Sequence, residues 1–445
     1  MGQLFGTDGI RGVANTELTP ELVVGLGRAL VRTLREEGEE RPQVLVGRDP
    51  RASGEMLESA LVAGVTSAGG DVVSAGVLPT PGVAFLTAET TADAGAMISA
   101  SHNPVADNGI KFFGPGGGKL TDAEENRIEE LLQQVADDRP VGARIGRLRR
   151  DHELLVRYVE HLAGTGTENL SHLHVVLDCA NGAASHVAPF VLRRLGAQVD
   201  VLNAKPDGTN INANCGSTYP EVVAQAVVEA GADIGLAHDG DADRLIATDH
   251  RGNIVDGDFI LAILAADLQR EAGLDTVVTT VMTNLGFTHA MRDLDIEVVQ
   301  TKVGDRYVRE AMLAGGHPLG GEQSGHIILT DYATTGDGVL TAIRLLSVLA
   351  RSGRSLADLA GIMQRLPQVL VNVTGVDRKR LPTAAAVWDA IADENDVLGD
   401  QGRILVRASG TEPVVRVMVE AGTEQHAAEI AERLSKVVTA ELSLA

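Results

Sequence analysis

The sequence predicts an α/β protein of three or four domains, and three observations predict it. Short β-branched runs alternate with Ala-, Leu- and Arg-rich helical stretches, the rhythm of mainly parallel or mixed sheets covered by helices. From about residue 366 that rhythm gives way to strands followed by one long helix, an α+β pattern. The chain has 445 residues, which at ~150 per domain is about three domains, or four at common domain sizes.

The elements follow in order. In the first region, 21–37 reads as a helix with Pro20 at its start and Gly38 just past its end. Residues 43–49 read as a buried strand, 55–68 as a helix and 71–75 as a strand. A further strand, 94–99, runs into Ala100-Ser101-His102-Asn103-Pro104. The charged helix predicted over 121–135 opens with a capping box, Thr121 standing three residues before Glu124. After Asp137-Asp138-Arg139-Pro140 and the basic stretch 144–150, a helix near 153–162 bridges a domain boundary. The strand 174–178, turn 181–183, helix 187–195 and strand 198–202 make a βαβ unit, extended by the helix 219–230 and the strand 233–237. A third region repeats the rhythm, which suggests duplicated architecture: helices over 258–270, 286–293 and 305–314, strands over 276–281 and 297–301. In the last region 366–374, 403–408 and 414–421 read as strands and 423–442 as a long helix.

Composition excludes several functions. Lys plus Arg is 38 and Asp plus Glu is 61, so 38 − 61 gives a net charge of −23. That argues against nucleic acid or an anionic membrane surface as a partner. A small anionic substrate then needs a local basic pocket. No signal peptide is evident, and no apolar run reaches the ~18 residues of a membrane span. The only cysteines, Cys179 and Cys215, suit a reducing, cytoplasmic setting. The 50 glycines are about 11% of the chain, against the usual ~7%. Many lie in 6–12, 114–118, 320–325 and at Gly410, in loops expected to approach a ligand.

Four loops carry chemistry. In Met97 to Pro104, Ser101 sits at a strand tip, where it is expected to be accessible as a nucleophile or phosphate carrier. Taken alone it could also be an ordinary Ser/Asn turn. Asp239-Gly240-Asp241-Ala242-Asp243-Arg244 follows an apolar strand. Three carboxylates at alternate positions can converge on a hard divalent cation such as Mg²⁺, and without one their crowding is costly. An EF-hand loop is excluded, because its sixth position would be Arg244 and its twelfth His250. A solvated acidic turn remains open. In Gly320 to His326, Glu322 and Ser324 suit vicinal sugar hydroxyls, although a glycine-rich connector reads the same. In Arg407-Ala408-Ser409-Gly410-Thr411-Glu412-Pro413, with Arg416 following, two hydroxyls and two guanidiniums suit a phosphate. A plain hairpin turn is the alternative. Two smaller clusters place Arg11 in a glycine-rich loop and Lys111 after the serine loop.

These motifs, in this order and along nearly the whole chain, resemble the α-phosphohexomutase superfamily. Phe5 to Gly12, Lys302 to Val308 and Gln323 are similar to its phosphoglucosamine branch. Asp305 and Gln323 depart from the glucose- and mannose-phosphate branch, which has His and often Met there.

The resemblance implies three mixed-sheet α/β domains plus a C-terminal α+β domain around a central cleft, one loop from each. The expected boundaries are 1–155 (phosphoserine loop), 156–255 (Mg²⁺ loop), 256–367 (sugar loop) and 368–445 (phosphate loop). It implies reversible conversion of glucosamine 6-phosphate to glucosamine 1-phosphate in the cytoplasm, feeding UDP-N-acetylglucosamine and cell-wall synthesis. Phosphoglucomutase/phosphomannomutase activity and a non-catalytic sugar-phosphate regulator are the alternatives.

Ser101 then resembles the phosphoserine. Asp239, Asp241 and Asp243, with the Ser101 phosphate, resemble the ligands of one Mg²⁺ per active site. Glu322 and Ser324 look like the hydroxyl readers, and Arg407, Ser409, Gly410, Thr411 and Arg416 like the phosphate holders. Arg11, His102, Lys111, Arg244 and His326 are candidates for charge stabilisation and proton transfer, Lys111 as a proton shuttle. Glucosamine 1,6-bisphosphate is implied as intermediate or activator. The partners implied are a hexosamine phosphate and a second copy in a homodimer, with no nucleic acid and no membrane.

Overall fold

The structure is a computed structural model that describes residues 4–6, 8–134, 139–409 and 413–444. Of the positions singled out above, Thr7, the stretch 135–138, Gly410, Thr411 and Glu412 lie outside the described residues. By contacts the chain divides into Met1–Met282 with Ile296–Ile362, and Thr283–Asp295 with Met363–Ala445.

The first unit opens with β1 (Ile10–Val13), α1 (Pro20–Glu36), β2 (Gln43–Arg48), α2 (Ala52–Ser67), β3 (Asp71–Val77), α3 (Thr80–Glu89), β4 (Ala94–Ile98), β5 (Asp107–Phe113), α4 (Asp122–Leu132) and β6 (Leu148–Arg150). The six strands form a mixed sheet in the order β1-β5-β4-β2-β3-β6. Local signals explain the helices. Thr19 caps α1 through its hydroxyl with Pro20 in the first turn, and Thr121 and Glu124 close both halves of the capping box on α4. Gly27 and Gly64 let α1 and α2 close together, because a Cβ on Gly64 would collide with the Val24 carbonyl.

Next come α5 (Glu153–Thr165), β7 (His174–Asp178), α6 (Ala184–Arg194), β8 (Gln198–Leu202), α7 (Pro220–Ala230), β9 (Ile234–His238), β10 (Leu245–Asp249) and β11 (Ile254–Val255). Their sheet runs β11-β10-β9-β7-β8, parallel at β7–β8 and β7–β9 and antiparallel beyond. A third set follows: α8 (Gly257–Ala272), β12 (Thr276–Thr280), α9 (Leu285–Asp293), β13 (Glu297–Thr301), α10 (Asp305–Gly315), β14 (Leu319–Gly321), β15 (Ile327–Leu329), α11 (Gly338–Ser352) and α12 (Leu356–Ala360). Its sheet runs β13-β12-β14-β15, and α9 belongs to the second unit.

The second unit continues with β16 (Gln368–Val373), α13 (Ala385–Leu398), β17 (Arg403–Ala408), β18 (Val415–Glu420) and α14 (Glu424–Leu442). It is an antiparallel sheet, β16-β18-β17, sharing one apolar core with the two helices. The fold class is therefore three mixed α/β sheets plus a C-terminal α+β module. No helix among the described residues is long and apolar enough to cross a membrane.

Several elements were not assigned from the sequence, and for three of them the physical reason is plain. α3 is buried on almost every side, so it carries no amphipathic period. β5 contains Asn108-Gly109, a turn-like pair, and a lysine, yet every residue after Asp107 is buried. β10 starts straight after an acidic turn. These unassigned strands matter, because all four loops connect antiparallel neighbours: β4 to β5, β9 to β10, β14 to β15 and β17 to β18.

Two of the glycines of 114–118 serve packing between domains. A Cβ on Gly117 would collide with the Ala84 carbonyl and one on Gly118 with Arg309. Thr334 donates to the Gly117 carbonyl at 2.6 Å. This loop packs the first sheet's domain against the third.

Candidate active site

Ser101 stands in the β4–β5 connection but is only 1% exposed, contrary to the accessible tip expected. Its φ is +51°, in the left-handed region. For a non-glycine residue that costs about 1–3 kcal/mol and persists only when the surroundings impose it. The side chain turns inward: Oγ donates to Asp239 Oδ2 at 2.5 Å and lies 3.2 Å from His102 Nδ1. Burial, then the charges of Arg244 and Arg11, push the His102 pKa down to about 4, so this imidazole is neutral at physiological pH.

The β9–β10 turn brings Asp239, Asp241 and Asp243 together, all buried, with carboxylate oxygens within 4.8 Å of one another. Asp241 Oδ2 accepts from Thr80 Oγ1 at 2.5 Å and from Lys111 Nζ at 2.9 Å. Asp239 Oδ1 accepts from the Arg244 backbone N–H at 3.3 Å. Asp241 Oδ1 and Asp243 Oδ1 are buried without a hydrogen-bond donor. Burial, and then Asp243 and Asp241, hold the Asp239 carboxyl well above the usual range. Buried carboxylate oxygens without donors, facing like charges, fit a hard divalent cation such as Mg²⁺, which takes oxygen ligands.

Cations surround the triad. Burial opposes the charge of Lys111, but Asp241, Asp8 and Asp243 outweigh it and hold the ammonium well above the ordinary lysine range. Its Nζ is 3.0 Å from Asp8 and 3.7 Å from Asp243. Arg11 pairs with Asp8 and donates to Asn103 Oδ1 at 3.3 Å. Arg244 Nε lies 3.7 Å from Asp243 Oδ1. The His326 ring accepts the Gly336 N–H at Nε2 (3.0 Å) and holds Nδ1 3.5 Å from Asp243. Burial works against its protonation, but Asp243 raises its pKa above the ordinary value.

The loop expected to read sugar hydroxyls is the β14–β15 turn. Gly325 is required there: its φ is +88°, and a Cβ would collide with the Leu245 carbonyl of β10. Glu322 Oε1 accepts from the Gly304 N–H at 3.2 Å, and burial raises its pKa. Ser324 Oγ is buried without a hydrogen-bond partner. Glu322 and Ser324 thus join the serine and aspartate loops in one unit.

In the second unit Arg407 and Arg416 face each other directly across β17 and β18. Burial and the Arg416 charge lower the Arg407 pKa. The Ser409 N–H donates to the Val414 carbonyl at 2.9 Å, and its own carbonyl accepts from Arg378.

Several residues of the site escape a reading by motif. Asp8 and Lys119 extend the charged network, Lys119 lying 2.5 Å from both Asp8 and Asp305. Asp8 does stand in the glycine-rich loop that carries Arg11. Asp49, Arg51 and Asn212 hold the serine loop from behind. The only signal for the first two was a charged pair at the end of a buried strand. Thr80 and Asn212 gave none.

Four family models match the chain. Phosphoglucomutase/phosphomannomutase α/β/α domains I, II and III match residues 2–139, 156–252 and 256–366. The C-terminal domain of the same family matches 370–437. The phosphoglucosamine mutase of Mycolicibacterium gilvum is 56% identical over 444 residues, covering 99% of this chain and 100% of that protein. That of Streptomyces griseus is 55% identical over 452 residues, covering 99% of this chain and 100% of its own. Among solved structures, a phosphoglucomutase/phosphomannomutase family protein from Burkholderia thailandensis superposes with a TM-score of 0.82 at 26% identity, covering 99% of this chain and 98% of that one. The Aspergillus fumigatus N-acetylphosphoglucosamine mutase, solved with GlcNAc-6P and magnesium, shares the fold with a TM-score of 0.72 at 19% identity, covering 99% and 96%.

Proposed function

This chain belongs to the phosphoglucosamine mutase family of the phosphohexomutases, and we propose that it interconverts glucosamine 6-phosphate and glucosamine 1-phosphate through a phosphoserine at Ser101. The observation that carries the reading is the 2.5 Å contact of Ser101 Oγ with Asp239 in the buried aspartate triad.

In the forward direction the Oγ–P bond of phosphoserine breaks as the sugar O1–P bond forms, giving glucosamine 1,6-bisphosphate. The O1 hydroxyl gives up a proton and Oγ regains one. His102 Nδ1, neutral and 3.2 Å from Oγ, is suited to carry that proton. The bisphosphate turns end for end, and its O6 phosphoryl returns to Ser101. Asp239, Asp241 and Asp243, with the phosphoserine, would hold Mg²⁺, which when bound neutralises charge on the transferring phosphoryl group.

Lys111, Arg11 and Arg244 supply fixed positive charge around the same oxygens. The carboxylates that keep Lys111 protonated favour that role over the proton shuttle expected from sequence. His326 orients Asp243. Glu322 and Ser324 read sugar hydroxyls: one accepts, the other does both. Arg407, Ser409, Gly410, Thr411 and Arg416 grip the non-reacting phosphate. Because phosphate has the same geometry at either end, the grip serves both orientations.

In this reading four domains, 1–155, 156–255, 256–367 and 368–445, contribute one loop each. The enzyme works as a homodimer in the cytoplasm and feeds UDP-N-acetylglucosamine synthesis. The free buried thiols of Cys179 and Cys215 support a reducing compartment.

Intact-mass measurement tests the reading. The purified protein should carry a phosphate that Ser101→Ala loses, together with about 10³-fold or more of its activity. Full activity in that variant would overturn the mechanism. Turnover of glucose or mannose phosphates faster than glucosamine phosphate would move the substrate to the sister branch.

A further inference from the structure

The left-handed backbone of Ser101 persists only where its surroundings impose it. Two side chains from different domains grip the same two carbonyls. Arg51 Nη2 donates to the Ser101 and Asn103 carbonyls at 2.9 and 2.8 Å. Asn212 Nδ2 donates to the same pair at 2.9 and 3.2 Å.

Arg51 spends every N–H it has on this loop or its anchor. Nη1 donates to the Pro104 and Asp107 carbonyls at 2.5 and 3.2 Å, and Nε to Asp49 Oδ2 at 2.9 Å. A guanidinium carries five donors in a planar fork, and here all five are used. Its side chain is 0% exposed, as is that of Asp49. Asp49 Oδ2 also accepts from Ser99 Oγ at 2.6 Å, and Ser99 Oγ accepts the Ser101 N–H at 2.9 Å. Both peptide groups flanking the Ser101 Cα are therefore held: the N–H through Asp49 and Ser99, the carbonyl by Arg51 and Asn212. With both fixed, the Cα–Cβ bond has one direction, from which rotation about that bond brings Oγ to Asp239 at 2.5 Å.

We propose that Arg51 and Asn212 are positioning residues of the phosphoserine: a two-domain clamp that imposes the left-handed backbone at Ser101 and so aims Oγ at the aspartate triad. The proposal rests on Ser101 being the phosphoryl carrier. A buried ion pair of this kind need not add stability, and its use is to fix one conformation. Arg51 acts on the serine loop through its carbonyls, whereas Asn212 Nδ2 also lies against Gly240, between Asp239 and Asp241.

The experiment compares the full-length protein with Arg51→Lys, which keeps the charge but loses the fork, and with Asn212→Ala. Three readouts are taken: Tm, the kcat and KM for glucosamine 6-phosphate, and the rate at which a hexose 1,6-bisphosphate phosphorylates the dephosphorylated protein, followed by intact mass. Misplacing a reacting group by about 1 Å costs about 100-fold in rate. Arg51→Lys is therefore expected to lose about 100-fold in kcat and in phosphorylation rate with KM nearly unchanged. Asn212→Ala should lose about tenfold in the same two readouts, one carbonyl grip remaining.

A merely structural role would lower Tm while folded molecules kept parental kcat and phosphorylation rate, and that result overturns the proposal. If Arg51→Lys does not fold, Asn212→Ala decides by the same criterion. Failure of the underlying reading is separate: it shows as retained phosphate and activity in Ser101→Ala, whatever the clamp variants do.

Discussion

The two units carry opposite electrostatic tension. In the first, three buried carboxylates stand within 4.8 Å of one another. In the second, two guanidiniums face each other across a strand pair. Like charges directly opposite on a sheet are destabilising, and crowded carboxylates are costly without a cation. One cluster gathers negative charge, the other positive. The first is built for permanence: Thr80, Lys111, Ser101 and the Arg244 backbone hold its oxygens from inside the fold. The second lies on two strands of a three-stranded sheet, with Arg407 and Arg416 only partly buried. In the proposed mechanism the first is the chemical centre, which needs fixed geometry, and the second the phosphate grip, which needs charge and little else.

The largest expected effect breaks the anionic cluster. Mg²⁺ should raise the Tm of the parent, and Asp241→Ala should abolish that rise and lower activity by about 10³-fold, since a metal supplies several kcal/mol of charge stabilisation. A variant stabilised by Mg²⁺ as strongly as the parent would show that the triad is not the cation site.

Breaking the cationic cluster should act on binding instead. A hydrogen bond to a charged group contributes about 1.5–3 kcal/mol, so Arg407→Ala should raise KM about 10- to 100-fold and change kcat far less. An unchanged KM would end the comparison at that loop.

The smallest effect comes from a control carboxylate. Asp337 is as buried as the triad, but protein donors satisfy it: Tyr158 OH at 2.7 Å and the Leu340 N–H at 2.9 Å, which it caps at the start of α11. Burial pushes its pKa up to about 6. A raised folded pKa means the folded state binds the proton more tightly than the unfolded chain. This group's contribution to stability is therefore complete below about pH 4 and lost as pH rises through about 6. Tm profiles over pH 4 to 7 should show the parent losing ground to Asp337→Asn as pH rises. Parallel profiles would show that Asp337 does not titrate in that window.

Much of the site was legible because its chemistry needs particular residue types at short spacing. Asp239, Asp241 and Asp243 can converge from alternate positions of one turn. Glu322 and Ser324 share another turn, and Arg407 and Arg416 are near neighbours across a hairpin. Asp49, Arg51, Thr80, Lys119 and Asn212 were not legible, since each works through a partner at least fifty positions away or on another element. The serine loop shows the limit most clearly. Its residues announced a reactive serine at a strand tip, yet no local pattern announces burial or a left-handed φ. Nor did the glycines of 114–118 distinguish a loop that approaches a ligand from one that packs domains together.

The sequence by itself determined the α/β rhythm, the change to α+β near residue 366, and the four loops with the chemistry each can perform. These are local properties: periodicity, capping and donor type are set within a few residues. Only the tertiary structure decided that each loop joins antiparallel strands, that Ser101 turns inward onto Asp239, and that Lys111 is buried between Asp8 and Asp241. Those outcomes depend on burial and on charges brought together from distant positions, and the free energy of a charge is set by what surrounds it in space rather than along the chain.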